Sequence, residues 1–96
     1  MIVQVDRTEI ESSLRRKGFV REDSRHRYFY HEVEGKRTGI STHTSHGSQF
    51  KTYEDNLLKQ MRKQLRLDTL RQLRDLLECP MTEDDYNDIL RKKGLI

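Results

Sequence analysis

The chain has 96 residues, 36% of them charged and 32% hydrophobic, with a formal charge of +3. That length allows one domain around a thin core, and no apolar run approaches the roughly 18 residues of a membrane span. A single cysteine, Cys79, excludes an internal disulfide, and the first five residues lack the basic start of a signal peptide, so a cytoplasmic protein with no membrane partner is expected.

Charge is distributed unevenly. Residues 1–53 carry ten Lys/Arg against seven Asp/Glu, whereas residues 54–96 carry nine of each. The basic excess of the first half suits a phosphate-bearing partner, and it equally suits a solvated surface.

Asp6-Arg7-Thr8-Glu9 reads as a capping box, with an oxygen at Asp6 for a free amide and Glu9 three residues on. Ile10 and Leu14 share one helical face, Arg15-Arg16-Lys17 suit the negative end of the helix dipole, and Gly18 ends a helix over 7–17. Short strands follow over 19–22, 27–33 and 37–42, the last two joined by a turn at Glu34-Gly35-Lys36. Strand alternation puts Arg27, Phe29, His31 and Val33 on one face and His26, Tyr28, Tyr30 and Glu32 on the other. Residues 43–53 are polar and read as a loop. Leu57, Leu58, Met61 and Leu65 mark a helix. Asp68 is the expected N-cap of the next one, with a stripe of Leu70, Leu73, Leu76 and Leu77 that stops before Cys79-Pro80. Thr82 caps a last helix with Asp85 at its third position, which buries Tyr86, Ile89 and Leu90 and ends at Gly94.

The expected fold is therefore α+β. A three-stranded antiparallel sheet is covered on one face by helices, in the α-β-β-β-α order of a double-stranded-RNA-binding domain, with two extra helices added. The expected division is an α-β-β-β-α unit over 1–67 and a helical extension over 68–96 packed on it.

All four histidines fall within 26–46. His26 lies between Arg25 and Arg27 at a strand start. An imidazole there can move a proton to or from a ribose hydroxyl, while the guanidiniums hold a phosphate. The plainer alternative is a strand histidine on a charged edge. His43 and His46 have an H-x-x-H spacing that suits zinc on a helical turn, but in a loop they read as substrate or partner contacts, and no metal is expected. Tyr28, Phe29 and Tyr30 can stack bases, although one strand face must be core.

At these residues the chain resembles the HicA-type toxins, small ribonucleases of toxin–antitoxin pairs with a dsRBD-like fold. Leu14 to Phe19 is similar to their L…GF helix-to-strand entry, and Ser24-Arg25-His26 to their Gly-Ser-His. Glu34-Gly35-Lys36-Arg37-Thr38 is similar to their hairpin, Ser45-His46-Gly47 to the His-Gly after the third strand, and 57–67 to their closing helix. The resemblance implies cleavage of mRNA without metal or other cofactor, His26 as the catalytic histidine, and a HicB-like antitoxin as partner. Arg25, Arg27, Lys36 and Arg37 are then expected to bind phosphate, with Ser24 and His46 as further RNA contacts. The chain departs from the pattern in three places: Ser24-Arg25 replaces Gly-Ser, the loop over 46–53 is longer, and 68–96 has no counterpart. Two rivals stand beside the ribonuclease. One is a dsRBD-like module that binds nucleic acid without cutting it. The other is an interaction domain whose leucine-rich tail docks a partner or a second copy of the chain, giving a homo-oligomer.

Overall fold

Residues 4–45, 52–78 and 80–96 are described by a computed structural model. Strand β1 (Val5–Asp6) leads into helix α1 (Arg7–Arg16), and strands β2 (Phe19–Asp23), β3 (Arg27–Val33) and β4 (Lys36–Thr44) follow. Strand β5 (Thr52–Tyr53) precedes helices α2 (Asp55–Gln64), α3 (Leu70–Leu77) and α4 (Glu83–Lys92). The α+β class and the three-stranded antiparallel sheet, in the order β2-β3-β4, are as expected.

Two features of the chain's first half differ from expectation. Val5 and Asp6 pair with Tyr53 and Thr52 in a second, two-stranded sheet. Asp6 occupies the N-cap position of α1 but makes no capping bond; its carboxylate accepts from Thr52 Oγ1 at 3.4 Å instead. The residues that follow Thr42 are not all loop either. Strand β4 runs on through His43 and Thr44 because Thr42 and Thr44 turn inward, opposite Phe29 and Arg27.

Alternation decides what the sheet buries. Phe19, Phe29, His31, Ile40, Thr42 and Thr44 are buried on one face, beneath the helices. α1 packs on β2 and α3, and α2 on β4 and α3. One apolar cluster runs from Val5 and Ile10 through Leu58 and Met61 to Leu76, Tyr86 and Leu90, so α3 and α4 share the core of the sheet. Burying each such leucine or aromatic stabilises the fold by about 1.5–3 kcal/mol, more than any of the surface ion pairs here contributes.

Polar contacts set where the last two helices sit. Ser13 Oγ donates to the Leu77 carbonyl. Lys17 Nζ is buried and donates to the carbonyls of Glu78 and Met81, where the end of α3 leaves acceptors open. The N-cap of α3 is Thr69 rather than Asp68: Thr69 Oγ1 accepts from the Gln72 amide at 3.1 Å. Asp68 takes an ammonium bond from Lys93 Nζ, which also donates to the carbonyl of the left-handed residue Arg66. The Thr82–Asp85 capping box of α4 forms as expected. Gly18 has φ +94°, a left-handed conformation that a side chain would strain, and it ends α1 where the Glu83 side chain of α4 comes close. Cys79 lies outside the described residues.

His31 fastens α4 to the sheet. Its Nε2 lies 2.8 Å from Asn87 Oδ1 and its Nδ1 2.9 Å from Thr38 Oγ1. The ring packs against Phe19 and Tyr86. With the Nε2 proton donated to Asn87, Nδ1 accepts from Thr38, which is the neutral imidazole. Burial pushes the His31 pKa below its ordinary 6.5, outweighing the upward pull of Asn87 and Glu83. The unfolded chain therefore binds this proton more readily than the folded one, and stability falls as pH drops through the range below 6.5. Urea unfolding should show a loss of stability between about pH 7.5 and about pH 5.5 and a shallower dependence for His31→Gln. An equal slope in the variant would contradict the assignment.

Candidate active site

The connection between β2 and β3 places His26. It is a tight turn in which the Ser24 amide donates to the His26 carbonyl at 2.9 Å. Ser24 and Arg25 are exposed at its tip, and His26 enters β3 half-buried. Across the strands, Arg27 pairs with Thr44 and Tyr28 with His43. The pleat then sends Arg27 and Thr44 to the helix side and leaves Tyr28 and His43 on the open side.

The open side carries a row of rings. Arg37 lies over Tyr30, with its guanidinium carbon 4.0 Å from the ring centre. Tyr30 is 6.0 Å from Tyr28, Tyr28 is 5.7 Å from His43, and His43 is 5.0 Å from His26. Arg37 lies on this face, opposite Glu32, by the same alternation that places Ser41 and His43 there, although β4 is irregular. Between Tyr30 and Glu32 the register shifts, and Gly39, with φ +88°, takes the left-handed turn such a bulge needs.

Beside the histidine pair is a cleft of about 140 Å³. His26, His43 and Ser45 form one side, and Tyr53 and α2 form the other. From α2 come Leu57, Gln60, Met61 and Gln64, the i, i+3, i+4, i+7 positions of one helical face. The chain leaving β4 is held in place: the Ser45 carbonyl accepts from Arg7 Nη1 at 2.9 Å, and its amide donates to Tyr53 Oη at 3.2 Å. Thr42 Oγ1 donates to Gln64 Oε1 at 2.6 Å and joins the sheet to α2.

The histidine pair is electrostatically coupled. Desolvation lowers the His43 pKa below its ordinary value, and the positive form of His26 lowers it further. His43 is thus held toward its neutral, proton-accepting form near neutral pH.

The residues expected to act together divide between the two faces. Arg27 does not join His26. Its Nη1 lies 3.0 Å from both carboxylate oxygens of Glu11, a buried residue of α1 that also accepts from Thr44 Oγ1 at 2.6 Å. Arg25 and Lys36 are exposed, while Arg37 also pairs with Glu22 at 2.6 Å on the surface. His31 is a core residue and His46 lies outside the described residues. His43, expected as a substrate or partner contact in a loop, lies in β4 beside His26 instead, and Gln60 and Gln64 carry no site expectation from the sequence. The two glutamines, four residues apart beside Leu57 and Met61, were the available signal. Among the described residues no three His, Cys, Asp or Glu side chains come together as a metal site would require.

No family model matches the chain, and no curated protein or solved structure matches it.

Glu11 is the carboxylate that balances a guanidinium with only 24% of its side chain exposed. Glu11→Ala would leave that charge uncompensated and should destabilise the fold by about 3 kcal/mol, read by urea unfolding. A loss within the few tenths of a kcal/mol typical of surface changes would contradict the assigned role.

Proposed function

We propose that this chain is an endoribonuclease that cleaves single-stranded RNA without a metal ion, using His26 and His43 as a pair. The observation that carries the reading is the approach of the two imidazoles to 5.0 Å along one side of a cleft. His43, held toward its neutral form, takes the proton of a ribose 2′-hydroxyl. The 2′-oxygen attacks phosphorus, and the bond from phosphorus to the 5′-oxygen breaks. His26, as general acid, gives a proton to that leaving oxygen. The products are a 2′,3′-cyclic phosphate and a free 5′-hydroxyl, with atoms and protons balanced. Tyr28 and Tyr30 offer faces on which unstacked bases lie, and Arg25, Lys36 and Arg37 supply positive charge for the backbone.

The resemblance to HicA-type toxins agrees with this reading, with His26 in the role it implies. In that setting the substrate is mRNA in the cytoplasm and a HicB-like antitoxin covers the site. A binding module without catalysis is the second reading. It is favoured by one observation: the hydrogen bonds among the described residues include none from a side chain to the ring of His26 or of His43, so none of the described carboxylates orients either imidazole.

Labelled RNA incubated with the purified chain should be cut equally well with and without EDTA, leaving cyclic-phosphate ends. His26→Ala should lower the rate by about 10²-fold or more while leaving the fold intact. RNA that is retained and never cut would favour the binding module. Cleavage by His26→Ala at the parent's rate would remove His26 from the chemistry.

A further inference from the structure

We propose that the cleft beside the histidine pair is a nucleobase pocket, and that Gln64 selects a base carrying an exocyclic oxo group, uracil or guanine, over one carrying an amino group there, cytosine or adenine. As a subsite for the residue next to the cut, it rests on the ribonuclease reading.

The size and walls fit one base. About 140 Å³ is well below the roughly 300 Å³ at which pockets for drug-sized ligands begin, so the occupant is a single small ring system. Leu57, Met61 and Tyr53 supply apolar and aromatic contact, and a thioether beside a planar ring is a favourable neighbour. Gln60 and Gln64 are the amides of the lining. His26 and His43 form one side of the cleft, so a base held here brings its own ribose and phosphate beside them.

Selectivity comes from the orientation of one amide. Thr42 is 2% exposed, so its hydroxyl proton has no water to bind. Among the described residues Gln64 Oε1 is its acceptor, at 2.6 Å. A buried hydroxyl proton needs an acceptor, so the Gln64 oxygen is committed to Thr42 and its amide presents N–H donors to the cleft. Uracil O4 and guanine O6 accept from such a donor. The amino groups of cytosine and adenine set donor against donor and leave both unsatisfied in a desolvated site.

Oligo-U and oligo-C share sugar, phosphate and ring size and differ at this group and the adjoining N3, which carries a proton only in uracil, and that makes them the probe. The parent chain should cleave oligo-U about tenfold faster than oligo-C, and the His26→Ala chain should bind fluorescent oligo-U about tenfold more tightly, as one hydrogen bond made or lost implies. Gln64→Glu keeps an oxygen for Thr42 and turns an acceptor toward the base, so the ratio should fall to unity or invert. Cleavage of both strands at equal rates, or a ratio unchanged in Gln64→Glu, overturns the pocket and leaves the ribonuclease standing. A preference for U in binding with no cleavage overturns the ribonuclease and leaves the pocket standing. Neither cleavage nor a preference in binding overturns both.

Discussion

Glu11 reaches from the first helix to two neighbouring strands of the sheet at once. Its carboxylate takes two bonds from Arg27 on β3 and one from Thr44 on β4, all on the buried side. Arg27 and Thr44 are cross-strand partners, and each is the chain neighbour of a histidine on the open side. Fixing the pair below the sheet therefore fixes the spacing of His26 and His43 above it. A buried carboxylate is costly to desolvate, and here the cost is offset by three hydrogen bonds and an opposite charge.

A comparable division of labour holds the rest of the chain. The leucines of α3 and α4 supply apolar burial, which is non-directional and would permit several packings. Direction comes from a few polar contacts: Lys17 and Ser13 on the end of α3, His31 with Asn87 on α4, and Tyr86 Oη to the Leu65 carbonyl at 2.8 Å. These contacts tie the last 29 residues to the core of the sheet. None of the described helices covers the other sheet face, where Tyr28, Tyr30, His43 and Arg37 stand in a row.

Much of this was legible from local chemistry. The bounds of β3 followed from its aromatic and β-branched residues, and alternation grouped Phe29 with His31 on one face; which of the two faces is core came only with the helices that cover it. Gly18 and the Thr82–Asp85 box marked helix ends because their signals lie within a few residues of the ends themselves. The misses are long-range. Nothing local in Val5-Asp6 announces a partner at Thr52-Tyr53, and a two-residue strand has no period to detect. Asp6 and Asp68 looked like caps, but tertiary partners claimed both carboxylates.

The site was legible in part for the same reason. His26 stood out by its flanking arginines, yet those arginines alternate across the sheet, and Arg27 belongs to Glu11. His43 was hidden in a run of Ser, Thr and His that reads as loop. Only pairing with β3 shows that its threonines are core and its histidine faces His26. Gln64 acquires its meaning from Thr42, 22 residues away on another element.

The account stands on His26 and His43 acting as one catalytic unit, and a double-mutant cycle measures that directly. Cleavage rates would be compared for the parent, His26→Ala, His43→Ala and the double variant. Groups that work as a unit give strongly non-additive losses, so the double variant should be little slower than either single one. Losses that simply multiply, or a His43→Ala chain as fast as the parent, would contradict the pair.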